Sequence, residues 1–595
     1  MKIAGASLNQ TPLAWEQNLR HIEEAIAQAQ SQNVELLCLP ELCITGYSCE
    51  DMFMHPWVCE KAMEQLLKVV PKTQGIAVAI GLPVRWQGLV FNTVAFVENG
   101  DIKGIYAKQN LPKEGIHYEY RWFEAWKPNK IEEINIQGVN YPFGHITVDF
   151  QGVKVAFEIC EDAWVENRPC TFLSDKVDLI INPSASHFAF GKVKRRQEII
   201  RASSAQFNCV YLYANQVGNE SGRVIYDGDV IIAQQGKLLA TARRFSFQSV
   251  NLHAIKIDFV SPDQSEVSLY DQITEKNEEF PQAMGLALFD YLRKSRSKGF
   301  VLSLSGGADS STIAVLIAEM VRRGSEQLGW EAFTAKLGLG QFPQETFMQH
   351  LLTTAYQGTS NSSDDTFASA KALSQSIGAT FYHWQIEEEV TSYREKIEAA
   401  IGRKLTWEHD DITLQNIQAR ARSPIIWMLA NLNNALLLAT SNRSEGAVGY
   451  ATMDGDTSGS ISPIAGVDKA FVRAWLKYAE THLGYTALRH VNGLQPTAEL
   501  RPLAQTQTDE ADLMPYDVLQ RIEYLFVHER MSAAQIKEAL RADYPANELD
   551  EWISKFFRLW TRNQWKRERL APSFHLDDFN IDPRSGFRYP ILSGR

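Results

Sequence analysis

Phe300-Val301-Leu302-Ser303-Leu304-Ser305-Gly306-Gly307-Ala308-Asp309-Ser310 is the stretch on which the fold turns. Phe300 to Leu304 is an apolar run of strand length, and an apolar-periodic segment starts near Thr312. A strand that ends in Ser-Gly-Gly-x-Asp-Ser and feeds a helix gathers consecutive backbone N–H groups and a helix N-terminus at one point. Glycine lets that backbone approach an oxyanion closely, and the amides and helix dipole favour negative charge there. Ser305, Gly306, Gly307, Asp309 and Ser310 are therefore candidate ATP-binding residues. Asp309 beside a phosphate makes sense with a divalent cation, and Mg²⁺ is the natural one. The loop lacks the Gly-Lys-Ser/Thr ending of a P-loop, so it is a different phosphate-binding device. The bland alternative is a glycine-rich turn that caps a helix.

Working outward, strand–loop–helix units recur. Ala379 to Ile386 reads as a strand, and a helix-like Ile425 to Leu437 runs into Leu438-Ala439-Thr440. That order predicts a doubly wound parallel sheet with helices on both faces, its ligands at the carboxyl edge. Thr440 stands at such an edge, followed by Ser441-Asn442-Arg443-Ser444-Glu445, Gly449-Tyr450 and Asp454-Gly455-Asp456. Glu445 is a candidate second metal ligand; alone it reads better as a solvated charge at a helix cap. The stretch Gly338 to Asp365, rich in Gly, Gln, Ser and Asn, reads as an irregular insertion.

Upstream, residues 1–260 alternate strand-like and helix-like segments, which predicts layered sheets covered by helices. Residues 261–280 lose periodicity and read as a linker, leaving 281–595 for the nucleotide-binding part. Within the first part three residues stand at predicted strand ends: Glu41 after Val34 to Leu39, Lys108 after Tyr106-Ala107, and Cys160 after Val153 to Phe157. Cys160 is flanked by Glu158, Glu161 and Asp162, so a thiolate there requires a compensating cation. A thiol nucleophile also needs a general base. Each residue alone has a bland reading as a cap, a surface lysine or a buried thiol.

Composition sets the bounds. The chain has 595 residues, 45% hydrophobic and 22% charged, with a net charge of −12, so several soluble domains are expected and a general nucleic-acid or membrane-surface binder is not. No apolar stretch reaches the ~18 residues of a membrane span, and no signal peptide is expected. The seven cysteines are odd in number and form no C-x-x-C pair, which points away from disulfides and zinc and towards a reducing cytoplasm.

Three resemblances sharpen this. The Ser305 loop resembles that of the ATP pyrophosphatases, which cleave ATP to AMP and pyrophosphate while activating a carbonyl. Residues Ile3 to Ile257 resemble the nitrilase superfamily, through Pro40-Glu41-Leu42-Cys43-Ile44-Thr45-Gly46-Tyr47, the Lys108 segment, Glu158 to Trp164, and Asn182-Pro183-Ser184-Ala185-Ser186. That resemblance implies an α-β-β-α sandwich with Glu41 as general base, Lys108 as oxyanion stabiliser and Cys160 as nucleophile. Lys113 is the rival for Lys108. A thiol amidase releases ammonia, and a pyrophosphatase-type site makes an acyl adenylate that ammonia can attack, so the two together read as a glutamine-dependent amidotransferase.

Nearly the whole chain resembles the glutamine-dependent NAD⁺ synthetase family, with further matches at Gln415 to Arg422, Thr440 to Glu445, Pro496 to Pro502 and Gln507 to Tyr516. The resemblance implies a ligase for the last step of NAD⁺ biosynthesis, using glutamine, ATP and deamido-NAD⁺, and a homo-oligomer. It implies glutamine contacts at Glu114, Ser186 and Lys192, with Glu119 a further candidate. Thr440 joins the loop as an ATP residue, and Asp309 and Glu445 hold Mg²⁺. Arg420, Glu445, Asp456, Lys469 and Lys566 face deamido-NAD⁺, with Arg567 either reaching phosphate or lying on a basic helix face with Lys566. The chain departs from the family at Arg443, where Lys is commoner, and at Asp454 to Thr457, where an aromatic residue usually precedes the Gly-Asp pair. Pro424 fits a first helical turn and not a helix interior. The competing readings are an amidotransferase with another acceptor, a tRNA-modifying pyrophosphatase, and a scaffold with a dead amidase; acidity and the Glu41, Lys108, Cys160 set oppose the last two.

Overall fold

The computed structural model describes residues 1–113, 115–270, 275–494, 500–501 and 509–593. It divides into two compact units, Met1–Glu279 and Phe280–Arg595.

The first unit is built on two sheets. The eight-stranded sheet runs Val250–Lys256, Lys2–Leu8, Leu36–Cys38, Ala77–Trp86, Leu89–Glu98, Asp101–Ala107, Val139–Gly144, Ile131–Ile136. The seven-stranded sheet runs Ser268–Leu269, Lys237–Thr241, Val230–Gln234, Val210–Asn215, Leu179–Ser184, Val153–Phe157, Val148–Phe150. Side chains alternate between faces along each strand, and both faces of both sheets are apolar. Ile3, Leu36 and Val94 of one sheet pack against Val155, Leu179 and Val210 of the other. The opposite face of the first sheet packs on the helices Trp15–Ser31 and Pro56–Val69 through Ala4, Leu37, Val78, Ile22, Ile26, Ala62 and Leu66. The opposite face of the second packs through Tyr211, Ile231 and Ala233 on Ile200 of the helix Lys192–Gln206. This is the α-β-β-α sandwich that the sequence implies.

The second unit carries a four-stranded, wholly parallel sheet in the order Thr380–Gln385, Leu352–Gly358, Phe300–Ser303, Leu436–Leu438. Val301, Ala355 and Leu437 face the helix Trp407–Leu432. From the other face Thr354 hydrogen-bonds Ser374 of the helix Asp364–Ser376 at 2.9 Å, so helices cover both sides. Helices Tyr516–Val527, Ala533–Leu540 and Ala546–Arg562 add a separate apolar cluster around Trp560 and Phe556.

Several expectations need correction. Gly338 to Asp365 is no irregular insertion: it contains the strand Leu352–Gly358, buried at all seven residues. Its Thr353, Thr354, Gln357 and Gly358 are polar or small by type, and the flanks are polar, so the run hid among its neighbours. The last helix before the Leu436–Leu438 strand ends at Leu432, where Asn434 takes a left-handed φ of 48°. The same helix begins at Trp407 and holds Pro424 in its interior, although non-helical dihedrals at Asp410 break its first turns. Pro424 has no N–H, so the Arg420 carbonyl loses its helical donor. The helix after the glycine loop starts at Ala308, ahead of Thr312. Within the predicted linker span Ser268–Leu269 pairs with Lys237–Thr241, and the helix Lys276–Ser295 begins before residue 280.

Candidate active sites

In the first unit, Pro40 to Leu42 follow the short strand Leu36–Cys38 and cross the strand Ala77–Trp86 at Gly81. A Cβ on Gly81 would stand 2.4 Å from the Leu42 nitrogen and 2.6 Å from the Pro40 oxygen, so only glycine lets the Glu41 backbone lie there. Glu41 Oε1 accepts from Lys108 Nζ and from Asn92 Nδ2, both at 2.7 Å, and Oε2 accepts from the Ala185 N–H at 2.8 Å. Lys108 also donates to Glu119 Oε1 at 2.7 Å, and Glu119 accepts from the Tyr47 hydroxyl at 2.6 Å. All of these side chains are buried.

Burial pushes the Glu41 carboxyl up to about 7, against the pull of Lys108. Burial alone would lower the Lys108 ammonium, but Glu119 and Glu41 hold it well above the ordinary lysine value. Lys108 is therefore a fixed cation and Glu41 is a base poised near neutral pH.

Cys160 opens a short 3₁₀ turn after the strand Val153–Phe157, with a left-handed φ of 43°. That region is costly for a residue with a Cβ, and the strain turns the thiol out of the strand line. Burial, then Glu41, raise the Cys160 thiol well above its ordinary value, while Lys108 opposes them. Glu41 and Lys108 thus both act electrostatically on the thiol. Cys160 is partly exposed, whereas the other six cysteines are buried, and all seven are free.

Ser186 follows the Glu41-bound Ala185, and its N–H donates to Asn215 Oδ1 at 2.8 Å. Lys192 begins the helix Lys192–Gln206, with its ammonium 3.1 Å from His187 Nε2 and 5.5 Å from the centre of the Trp164 ring. The expected glutamine residue Glu114 lies outside the described residues. Lys113 reaches over Tyr120, 5.5 Å from the ring, so Lys108 alone of the two joins Glu41. Sequence reading gave no role to Asn92, a polar residue in the apolar strand Leu89–Glu98, nor to Tyr47.

In the second unit the glycine loop follows the strand Phe300–Ser303 and caps the helix Ala308–Leu328. Gly306 has a φ of 80°, and a Cβ there would meet the Thr366 carbonyl at 2.1 Å. Ser305 Oγ lies 3.2 Å from Ser310 Oγ and accepts from the Gly307 N–H at 3.3 Å. Ser305, Gly307, Asp309, Ser310, Thr440, Glu445, Asp456, Lys469 and Lys566 all line one cavity of about 620 Å³, ample for a nucleotide. Lys469 bridges two carboxylates: its ammonium contacts Asp309 Oδ2 and stands 3.3 Å from Glu445 Oε1. Asn442 Nδ2 donates to Asp309 Oδ1 at 3.1 Å and so holds it against the loop after Thr440.

These carboxylates fit a hard divalent cation. Among the described residues no group of three or more His, Cys, Asp or Glu side chains is placed to hold a metal ion by itself, so the protein offers two carboxylates and leaves the remaining positions to phosphate and water.

Lys566 donates to the Gly449 and Ala451 carbonyls, each at 2.8 Å, and burial lowers its ammonium. Arg567 is 2% exposed, donates to the Ala447 and Trp560 carbonyls and stacks on Trp560. Arg420 is exposed and donates to the Met453 carbonyl at 3.0 Å, and Arg422, whose role the sequence left open, lines the cavity instead. Tyr356 and Tyr450 supply aromatic rings to the lining, which Asp454 to Thr457 do not. Arg443 is fully buried, with Asp468, Glu523 and Asp577 within 3.3 Å and its guanidinium 3.8 Å over the Phe579 ring.

A buried Glu41–Lys108 pair in the unit that carries Cys160, and a glycine-loop cavity in the other unit, accord with a carbon–nitrogen ligase that carries its own amide-hydrolysing unit. Residues 2–261 match the carbon-nitrogen hydrolase model and residues 282–569 the NAD synthase model. A glutamine-dependent NAD(+) synthetase of Oryza sativa subsp. indica is 31% identical over 100% of this chain and 92% of its own length. The crystal structure of one from Cytophaga hutchinsonii is 50% identical, with a TM-score of 0.90 over 100% of this chain and 98% of that one. A third, from Acinetobacter baumannii in complex with ADP, shares the fold at 24% identity and a TM-score of 0.69, over 100% of this chain and 99% of its own. The chain belongs to the glutamine-dependent NAD⁺ synthetase family.

Proposed function

We propose that the first unit hydrolyses glutamine through Glu41, Lys108 and Cys160, and that the second uses the ammonia to amidate deamido-NAD⁺ with ATP. The observation that carries the reading is the buried Glu41–Lys108 contact of 2.7 Å in the unit where Cys160 is held at a φ of 43°.

Glu41 takes the thiol proton as Cys160 Sγ bonds to the side-chain carbonyl carbon of glutamine. Lys108 stabilises the oxyanion, and Glu41 returns the proton to the departing nitrogen. Ammonia leaves, and Glu41 then deprotonates a water that cleaves the thioester to glutamate. Ser186 and Lys192 bind the amino-acid end of glutamine in this reading. In the second unit the carboxylate of deamido-NAD⁺ attacks the α-phosphorus of ATP, and pyrophosphate leaves across the loop amides, Ser305, Ser310 and Thr440. Ammonia then attacks the acyl adenylate and AMP departs. Asp309 and Glu445 would hold Mg²⁺, which when bound supplies charge neutralisation for the phosphates. Lys469, Asp456 and Lys566 are assigned to deamido-NAD⁺, and Arg422 joins them because it lines the cavity. The reading extends to a cytoplasmic homo-oligomer. Seven free thiols support a reducing compartment, and no helix among the described residues is long and apolar enough to cross a membrane.

The test is NAD⁺ formation from deamido-NAD⁺, ATP and Mg²⁺ by wild type and Cys160→Ala, each with glutamine or ammonium. The variant is expected to lose only the glutamine reaction. Failure of wild type with both nitrogen sources overturns the acceptor.

A further inference from the structure

Asp162 has no role in the steps above, yet its carboxylate gathers five donors while fully buried. Oδ2 accepts from the Ile159 N–H at 2.9 Å and the Tyr106 hydroxyl at 3.0 Å. Oδ1 accepts from the Gln109 N–H at 3.2 Å, the Asn110 N–H at 2.8 Å and Asn110 Nδ2 at 3.0 Å. Its own N–H returns to the Ile159 carbonyl at 3.0 Å, closing the 159–162 turn in both directions.

The donors fall on two chain segments, and these segments carry the reacting groups. Ile159 precedes Cys160, whose left-handed φ of 43° persists only if its surroundings fix it. Tyr106 precedes Lys108 by two residues, and Gln109 and Asn110 follow it at once. One carboxylate thus brackets the lysine from both sides and holds the turn that strains the nucleophile. Lys108 is itself a straight continuation of the strand Asp101–Ala107, so fixing 106 and 109–110 fixes the origin of its side chain.

We infer that Asp162 is a positioning residue for the amidase reaction, setting the distance between the Cys160 thiol and the Lys108 ammonium. The inference rests on the roles proposed above for Cys160 and Lys108. An asparagine at 162 keeps the shape but turns an NH₂ towards N–H donors, so it breaks the clamp on one side without opening a cavity.

The experiment uses the full chain and compares wild type, Asp162→Asn, Tyr106→Phe and Cys160→Ala. Three quantities are read: kcat and KM for glutamine, ammonium-dependent NAD⁺ synthesis, and the rate of Cys160 alkylation by iodoacetamide. Asp162→Asn is expected to lower kcat with glutamine by about 10²-fold, the scale of a displacement near 1 Å in a reacting pair. KM for glutamine should move less than threefold, alkylation should slow, and the ammonium reaction should stay within twofold of wild type. Tyr106→Phe removes one donor of five and should give a smaller fall in kcat of the same kind. The inference is overturned if Asp162→Asn folds and keeps kcat within threefold. It is equally overturned if the loss appears in KM alone. Should Asp162→Asn fail to accumulate, Tyr106→Phe decides, and an unchanged kcat with unchanged alkylation sinks the idea. Retention of glutamine-dependent synthesis by Cys160→Ala would instead refute the nucleophile assignment, which separates the two failures.

Discussion

Glu41, Lys108 and Glu119 are buried and joined by contacts of 2.7 Å, whereas Asp309, Glu445 and Lys469 stand on the wall of a cavity of about 620 Å³. In the proposed reading the first site completes itself: its base, cation and nucleophile are all protein atoms. The second is a receptacle whose charges await phosphate, and a lysine keeps its two carboxylates from repelling each other until then. Each kind of site leaves its own trace. A site that acts with its own atoms shows up as displaced acidities and short contacts, and one that acts on a large charged substrate shows up as shape.

The sharpest break is Glu41→Gln. It should lower glutamine-dependent synthesis by about 10³-fold by removing the general base, and ammonium-dependent synthesis should be unchanged. The mirror image is Asp309→Asn, expected to lower synthesis from both nitrogen sources by about 10²-fold. Alkylation of Cys160 should proceed in it at the wild-type rate; a slowed rate would mean that the two sites are not separable in this way. Gly81→Ala presses a methyl group on the Pro40–Leu42 backbone and should cost glutamine-dependent rate by about tenfold or more, with a lowered Tm and an intact ammonium reaction per folded molecule.

The pH dependence is a gentler probe. Glu41 must be ionised to accept the thiol proton, so glutamine hydrolysis should fall as the pH drops through about 7. Asn92 hydrogen-bonds the ionised form, so Asn92→Ala should move that limb to higher pH. The sign for stability is the reverse. Between the ordinary carboxylate value and about 7 the folded chain holds the Glu41 proton more tightly than the unfolded chain, so ionisation costs stability as pH rises. A urea titration series at fixed pH values checks it. The smallest effect is expected from Arg443→Lys, which keeps the charge but loses the fork and the stacking on Phe579. Its Tm should fall by the few degrees that ~1–2 kcal/mol represents, with both nitrogen sources still used.

Much of this was legible from residue order. The apolar runs Val34 to Leu39, Val153 to Phe157 and Phe300 to Leu304 read directly as strands, and nearly every position of the strands Leu36–Cys38, Val153–Phe157 and Phe300–Ser303 is buried. The glycine loop was legible because its own hydrogen bonds are local: Ser305, Gly307 and Ser310 bond one another within five residues. The strand Leu352–Gly358 was not, since its polar residues are satisfied by distant partners such as Ser303 and Ser374, which a one-dimensional pattern does not reveal. Asn92, Tyr47 and the lining role of Arg422 escaped for the same reason. Each acts on a residue far along the chain. Arg420 and Arg567 show the limit from the other side: each donates to a backbone carbonyl, and a basic side chain in a matching segment carries no mark of that partner.

The three residues from Ser268 to Tyr270 bear on how this protein can be cut. Ser268 and Leu269 pair with Ala240 and Thr241, and Tyr270 exchanges two hydrogen bonds with Thr241. This strap lies over the outer margin of the seven-stranded sheet, where unpaired N–H and C=O groups invite another molecule's strand. A fragment ending near residue 260, where the composition changes, would leave the Lys237–Thr241 margin bare and prone to self-association. A fragment ending at residue 279 keeps the margin covered and is the one to express as a stand-alone amidase.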